Sequence, residues 1–268
     1  MRIQLKRGAA LIGRWTRKPS SGIRVLGYHC IGGSSGLQLD IPTRAFQAQL
    51  EELRARGPVV SLSDAIESGR ETDQLSAAVL TFDDGFADTF ANGVPMFRRL
   101  GTPAHFYLAT ADIRRGWIPT SAGRAEAIRP SALRELAKDP LFTFGSHGHS
   151  HRVLLRLSDD EIRDELSTSK ALVEEWTGRP ALHFAYPKGL WDERVEAIVR
   201  TFFRSAVIGG SLPLGPATHP YRIPRYPIQA SDDSYAFRAK LDGALFLEET
   251  ARSMRDRFLF VTGRMPER

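Results

Sequence analysis

Two aspartates stand side by side in Thr81-Phe82-Asp83-Asp84-Gly85, directly after the apolar run 77–82. Adjacent carboxylates at the end of an apolar segment are costly unless a cation or hydrogen bonds compensate them. Neighbouring side chains of an extended chain point to opposite sides. One carboxylate can therefore hold a metal ion while the other reaches that ion's water from a second direction, and Gly85 permits a sharp turn there. The plainer alternative is an acidic pair that caps the following helix. A second cluster is Gly145-Ser146-His147-Gly148-His149-Ser150-His151, with three histidines in five residues. His147 and His151 are four apart, so a helical turn would set both imidazoles on one face, with His149 pointing elsewhere. Two imidazoles and one carboxylate make a ligand set for a catalytic divalent ion that keeps positions open to water.

Two further segments are weaker signals. Phe184-Ala185-Tyr186-Pro187-Lys188-Gly189 contains a rigid turn after a strand, and such a turn can present a backbone N–H to an oxyanion. His29 closes the run Val25-Leu26-Gly27-Tyr28-His29, where it could act as a general acid or serve a structural purpose. Cys30 beside it is the single cysteine, which excludes an intrachain disulfide and a cysteine metal cluster. It reads as a small buried residue.

These residues need elements to position them. Strands are expected at 23–29, 77–82, 104–108, 141–145, 182–186 and 205–208. Helices are expected at 43–56, where Phe46, Leu50 and Leu53 recur at helical spacing, and at 192–202. Phe86, Phe90, Val94 and Phe97 mark another helix, interrupted by Gly93 and Pro95. Ser158-Asp159-Asp160-Glu161 is a capping box that starts a helix ending at Gly178. The stretch 110–129 reads as irregular. Short apolar strands alternating with amphipathic helices predict a parallel sheet. Polar residues repeatedly follow strand C-terminal ends, which is where active sites sit in α/β barrels.

The 268 residues suit one large α/β domain. Their 42% hydrophobic and 25% charged content is that of a globular protein. Net charge is +6, but no basic-aromatic motif for nucleic acid is present. The first residues carry Arg2, Lys6, Arg7, Arg14, Arg17 and Lys18 among Leu5, Leu11, Ile12 and Trp15. This pattern fits either a solvated terminus or a helix on an anionic membrane surface. The apolar run there is too short for a secretory signal, so a cytoplasmic protein is expected, at most peripheral to the inner face of the membrane.

Taken together, the motifs resemble a family. Thr-Phe-Asp83-Asp84-Gly, then His147-x-x-Ser-His151, then Tyr186-Pro187-x-Gly looks like carbohydrate esterase family four, the NodB-type polysaccharide deacetylases. The opening Gly-Tyr-His29-Cys is similar to the circularly permuted branch that includes deacetylases of biofilm poly-N-acetylglucosamine. The resemblance covers about 24–208 and implies a distorted (β/α) barrel, usually of seven strands. Residues 22–268 would then form one catalytic domain behind the basic segment 1–21. It implies Asp83 as base, Asp84, His147 and His151 as ligands, His29 as acid, and the Lys188 backbone N–H as oxyanion donor. Zinc is the default metal, with cobalt or nickel suited to the same ligands. The substrate would be an acetylated glycan or a lipid-linked saccharide. Ala185 stands where many members have an arginine, and the late Asp/Trp and Leu-x-x-His motifs are absent. Arg225, in Tyr221-Arg222-Ile223-Pro224-Arg225, is the candidate to orient Asp83 instead. The alternative is a catalytically silent saccharide-binding protein on the same fold.

Overall fold

Seven parallel strands close into a barrel whose inward-facing positions carry the candidate chemistry. The computed structural model describes residues 22–33, 37–71, 76–245, 251, 254–255 and 258–264, and the basic segment 1–21 lies outside them. In chain order come β1 (Ile23–Tyr28), β2 (Cys30–Gly32), β3 (Asp40–Pro42), α1 (Thr43–Arg56), α2 (Leu62–Glu71), β4 (Ala77–Phe82) and α3 (Ala87–Leu100). Then follow β5 (Ala104–Leu108), α4 (Thr110–Arg115), the hairpin β6 (Trp117–Thr120) and β7 (Gly123–Glu126), α5 (Pro130–Leu136) and β8 (Phe142–Ser146). The chain continues through α6 (Asp159–Thr177), β9 (His183–Ala185), α7 (Glu193–Phe202), β10 (Ser205–Gly209), β11 (Ile223–Pro227) and α8 (Ser234–Leu241). Around the barrel the order is β1-β11-β10-β9-β8-β5-β4. No described helix is long and apolar enough to cross a membrane.

Side-chain alternation along the strands sorts residues into two sets. Leu26, Tyr28, Leu80, Phe82, Phe106, Phe142 and Phe144 belong to an outer core under the helices, where Phe46 and Phe97 join them. Their rings stack, as in Tyr28 with Phe82 and Phe82 with Phe106, each pair 5.3 Å apart. The other set, Val25, Val79, Tyr107, Ala185, Val207 and Ile223, comes from six strands and packs together inside the barrel. Continuing that inner line by two residues past Gly27 and Thr81 reaches His29 and Asp83, and the same period on β8 and β11 places His147 and Arg225 inside.

Two expectations need correction, and one strand is added. The helix through Gly93 and Pro95 is not interrupted: α3 runs unbroken from Ala87 to Leu100. Pro95 is exposed, so water can serve the carbonyl that it leaves unpaired. Gly93 admits Phe97 and Ile31, since a Cβ there would lie 2.9 and 3.1 Å from them. The stretch 110–129 is not irregular but holds α4 and the antiparallel β6–β7 hairpin. Finally, β11 was not foreseen as a strand. Pro224 and Pro227 obscure it, yet it closes the barrel between β10 and β1. Cys30 is buried, as expected, and burial together with Asp40 and Asp88 pushes its thiol pKa up.

Candidate active site

Register brings the site together. Tyr28 pairs with Phe82, so His29 and Asp83 leave neighbouring strand ends side by side. Leu108 pairs with Ser146, and the His147 N–H donates to the Leu108 carbonyl at 2.9 Å. Asp84, His147 and His151 each offer a ligand atom, all within 4.8 Å of one another. Asp84 Oδ1 lies 3.3 Å from His151 Nε2 and 3.7 Å from His147 Nε2. The two imidazoles meet edge-on, 4.7 Å apart.

The hydrogen bonds indicate what this cluster fits. His147 Nδ1 is 2.8 Å from the Ala185 carbonyl, which only accepts, so Nδ1 carries the proton. Its Nε2 faces carboxylate oxygens of both Asp84 and Asp83, at 3.7 and 3.8 Å. A divalent cation among them would bind this nitrogen together with the Asp84 carboxylate and His151. The donor set and its orienting backbone carbonyl match those of a divalent-ion site.

Reaching this geometry strains the backbone. Asp84, His151 and Lys188 are the non-glycine residues with positive φ among the described residues, at 70°, 59° and 60°. All three belong to the site motifs, consistent with strain held where surrounding structure over-determines it. The expectation that a helical turn aligns His147 and His151 is therefore corrected. They flank a loop in which Gly148 at φ 81° and His151 are both left-handed. His149 does point elsewhere, with Nδ1 2.8 Å from Thr110 Oγ1.

Asp83 is buried and faces Arg225. The guanidinium donates from Nη1 to Oδ1 at 2.6 Å and from Nη2 to Oδ2 at 2.7 Å, and also to Thr81 Oγ1 at 3.2 Å. Burial by itself would raise the Asp83 pKa. The Arg225 charge and hydrogen bonds, with His147 and His29, together outweigh it and hold the carboxyl well below the usual carboxylate range. Burial likewise opposes ionisation of Asp84, and His151, His29 and His147 pull its pKa down. His29 Nε2 lies 3.9 Å from Asp83 Oδ2, and its Nδ1 is buried without a hydrogen-bond partner. Burial lowers the His29 pKa, against the pull of both aspartates.

The turn at Tyr186 to Gly189 adjoins this centre. Gly189 N–H donates to the Tyr186 carbonyl at 2.8 Å, and a Cβ on Gly148 would lie 3.9 Å from Pro187. Lys188 thus occupies a left-handed position beside the His147 loop, and Tyr186 is buried behind it, where burial raises its phenol pKa. Sequence reasoning missed Glu165 and Ser169 on α6. They interrupt the buried stripe Ile162, Leu166, Val173 and Trp176, and a polar pair on a buried helical face was the available signal.

A family model described as polysaccharide deacetylase matches residues 70–203. YxkH of Bacillus subtilis strain 168, provisionally named a polysaccharide deacetylase, is 24% identical over 198 residues. That match covers 72% of this chain and 66% of the relative, so the chain spans slightly less than two thirds of its length. IcaB from Ammonifex degensii superposes with a TM-score of 0.72 at 22% identity, covering 83% of this chain and 97% of that one. The Streptococcus pyogenes deacetylase PplD, solved with acetate, gives 0.69 at 17% identity, covering 84% and 99%. At these identities the likeness to the solved structures is one of fold.

Proposed function

This chain belongs to the polysaccharide deacetylase family, and from that premise we propose that it is a metal-dependent hydrolase removing acetyl groups from a polysaccharide. The observation that carries the reading is the convergence of Asp84, His147 and His151 beside an Asp83 held by Arg225. Asp84, His147 and His151 would hold the ion, with zinc first by ligand type and cobalt or nickel next. When bound, it would supply Lewis acidity for an attacking water and for the acyl carbonyl.

The chain's own residues account for the rest. Asp83 is the base, and the Arg225 fork keeps it deprotonated and oriented before turnover begins. His29, across from Asp83, is the acid that protonates the leaving nitrogen, or the oxygen if the target is an ester. An amine leaves poorly without that proton. The Lys188 backbone N–H is the proposed donor to the developing oxyanion, presented by a turn packed on Gly148. Arg225 supplies from β11 the guanidinium that Ala185 lacks on β9, which favours the enzyme over a silent saccharide-binding protein. The position of His29 directly after β1, ahead of the aspartates, supports the permuted branch.

The test measures acetate release from acetylated glycans and lipid-linked sugars, with and without chelator, alongside metal content. Wild type should bind about one ion per chain and release acetate only when loaded. Asp84→Asn and His151→Ala should lose the metal. Asp83→Asn should keep it and lose activity by ~10²–10⁴-fold. Equal metal content in wild type, Asp84→Asn and His151→Ala overturns the ligand assignment. Chelator-resistant acetate release overturns the metal-dependent reading.

A further inference from the structure

One helix holds the loop that carries His151. Glu165 on α6 is 9% exposed, and its Oε2 accepts from two consecutive backbone N–H groups, His149 at 2.9 Å and Ser150 at 2.8 Å. Its Oε1 accepts the Ser150 hydroxyl. One helical turn further on, Ser169 Oγ lies 2.6 Å from Ser146 Oγ, which accepts the Gly148 N–H at 3.1 Å. Glu165 and Ser169 therefore share a face of α6 and grip the loop on both sides of its glycine.

The contacts fall on a segment whose backbone is uncommon. Gly148 and His151 both have positive φ, and a non-glycine residue such as His151 is held there by its surroundings. The bonds to Glu165 fix the 148–149 and 149–150 peptide planes and the Ser150 side chain, and so hold the path of the chain as it enters His151. A carboxylate buried against loop amides supplies strong acceptors that water would otherwise replace with a range of loop conformations.

We propose that Glu165 is a positioning residue for His151, and that its grip on the His149 and Ser150 amides sets the affinity of the Asp84–His147–His151 centre for a divalent cation. This rests on the metal reading above. Glu165 does not touch the ligand atoms and acts only through the loop backbone.

The test is Zn²⁺ affinity, by competition with a chromophoric chelator, for wild type, E165Q, E165D and E165L. Thermal unfolding of each metal-free protein and amide hydrogen exchange across residues 147–151 accompany it. Glutamine keeps an oxygen for both N–H groups, and its amide can donate to Ser150 Oγ, so E165Q should bind within about threefold of wild type. Leucine offers no acceptor, and E165L should bind Zn²⁺ ~10–100-fold more weakly, the usual cost of losing a ligand's supporting partner. Its His149 and Ser150 amides should exchange faster in the metal-free protein. E165D withdraws the carboxylate by one methylene and should weaken binding about tenfold, which decides the matter if E165L does not fold. A merely structural role predicts lowered unfolding temperatures with unchanged Zn²⁺ affinity in E165D and E165L, and that result overturns the proposal alone. Wild type that takes up no Zn²⁺ overturns the metal reading and the proposal with it.

Discussion

Asp83 and Arg225 form a buried, doubly hydrogen-bonded pair, and such pairs respond sharply when one partner goes. Arg225→Met would leave Asp83 buried without its cation, which should cost about 3–5 kcal/mol of stability. Burial then acts unopposed by the guanidinium, so the Asp83 pKa rises. The acid limb of the pH–rate profile should move to higher pH, because Asp83 must lose its proton before it can accept one. Arg225→Lys keeps the charge without the fork and should fall between the two. A profile of kcat/KM against pH that stays put in Arg225→Met removes Arg225 from the reading. His29 is tested by leaving group. His29→Ala should slow hydrolysis of an N-acetyl sugar far more than that of an aryl acetate, which leaves without protonation. Equal slowing of both means that His29 is not the acid.

At the level of strands and helices, the site depends on close approach between barrel staves. A Cβ on Gly145 would lie 2.4 Å from the His183 carbonyl and 2.7 Å from His105 Nε2, closer than real contacts allow. Gly145→Ala must therefore push β8 from β9, two residues before His147. A loss of about 1–3 kcal/mol or more is expected, read as a lower urea midpoint at unchanged slope. Full stability in this variant contradicts the packing described. The start of α6 is held differently. Ser158 and Glu161 form a reciprocal capping box, and Ser158→Ala should cost about 1 kcal/mol. That helix also carries Glu165, which bonds the 147–151 loop.

Across the whole molecule, the barrel interior below the site holds a polar cluster among its apolar residues. His105 Nδ1 meets Thr143 Oγ1 at 2.7 Å. His183 meets Ser205 Oγ at 2.8 Å and Ser63 Oγ at 3.0 Å, and the two rings lie 5.3 Å apart. Tyr107 OH, His105 Nε2 and the Arg225 Nε are buried there without hydrogen-bond partners. Burial lowers both histidine pKa values, with His183 brought from 6.5 to about 4. The unfolded chain therefore binds more protons than the folded one between these values. Stability is full above pH ~6.5, falls as pH drops, and the His183 share of that loss ends near pH ~4. For His183 the loss is about 3 kcal/mol. Metal-free protein should lose unfolding temperature between pH 7 and 4.5, and His183→Gln should flatten that dependence. An equal slope in this variant assigns the acid sensitivity elsewhere.

The sequence alone singled out the candidate residues Asp83, Asp84, His147 and His151 and most of the elements beneath them, because both are written locally. Asp83-Asp84-Gly85 and His147-x-x-x-His151 each lie within five residues, and runs such as Ala77–Phe82 and the Ser158 capping box declare their structure by pattern. The tertiary structure alone decided which partners those residues meet. Arg225 is 142 residues from Asp83 in the chain, on a strand that two prolines disguise, and barrel closure brings the two together. Spacing puts Glu165 on the buried face of α6 but does not name its partners, the His149 and Ser150 amides. The histidine pair looked helical by spacing, but Gly148 and the grip of α6 make it a left-handed loop. Local pattern records what a segment prefers, whereas long-range pairing and backbone strain exist only once the barrel has closed.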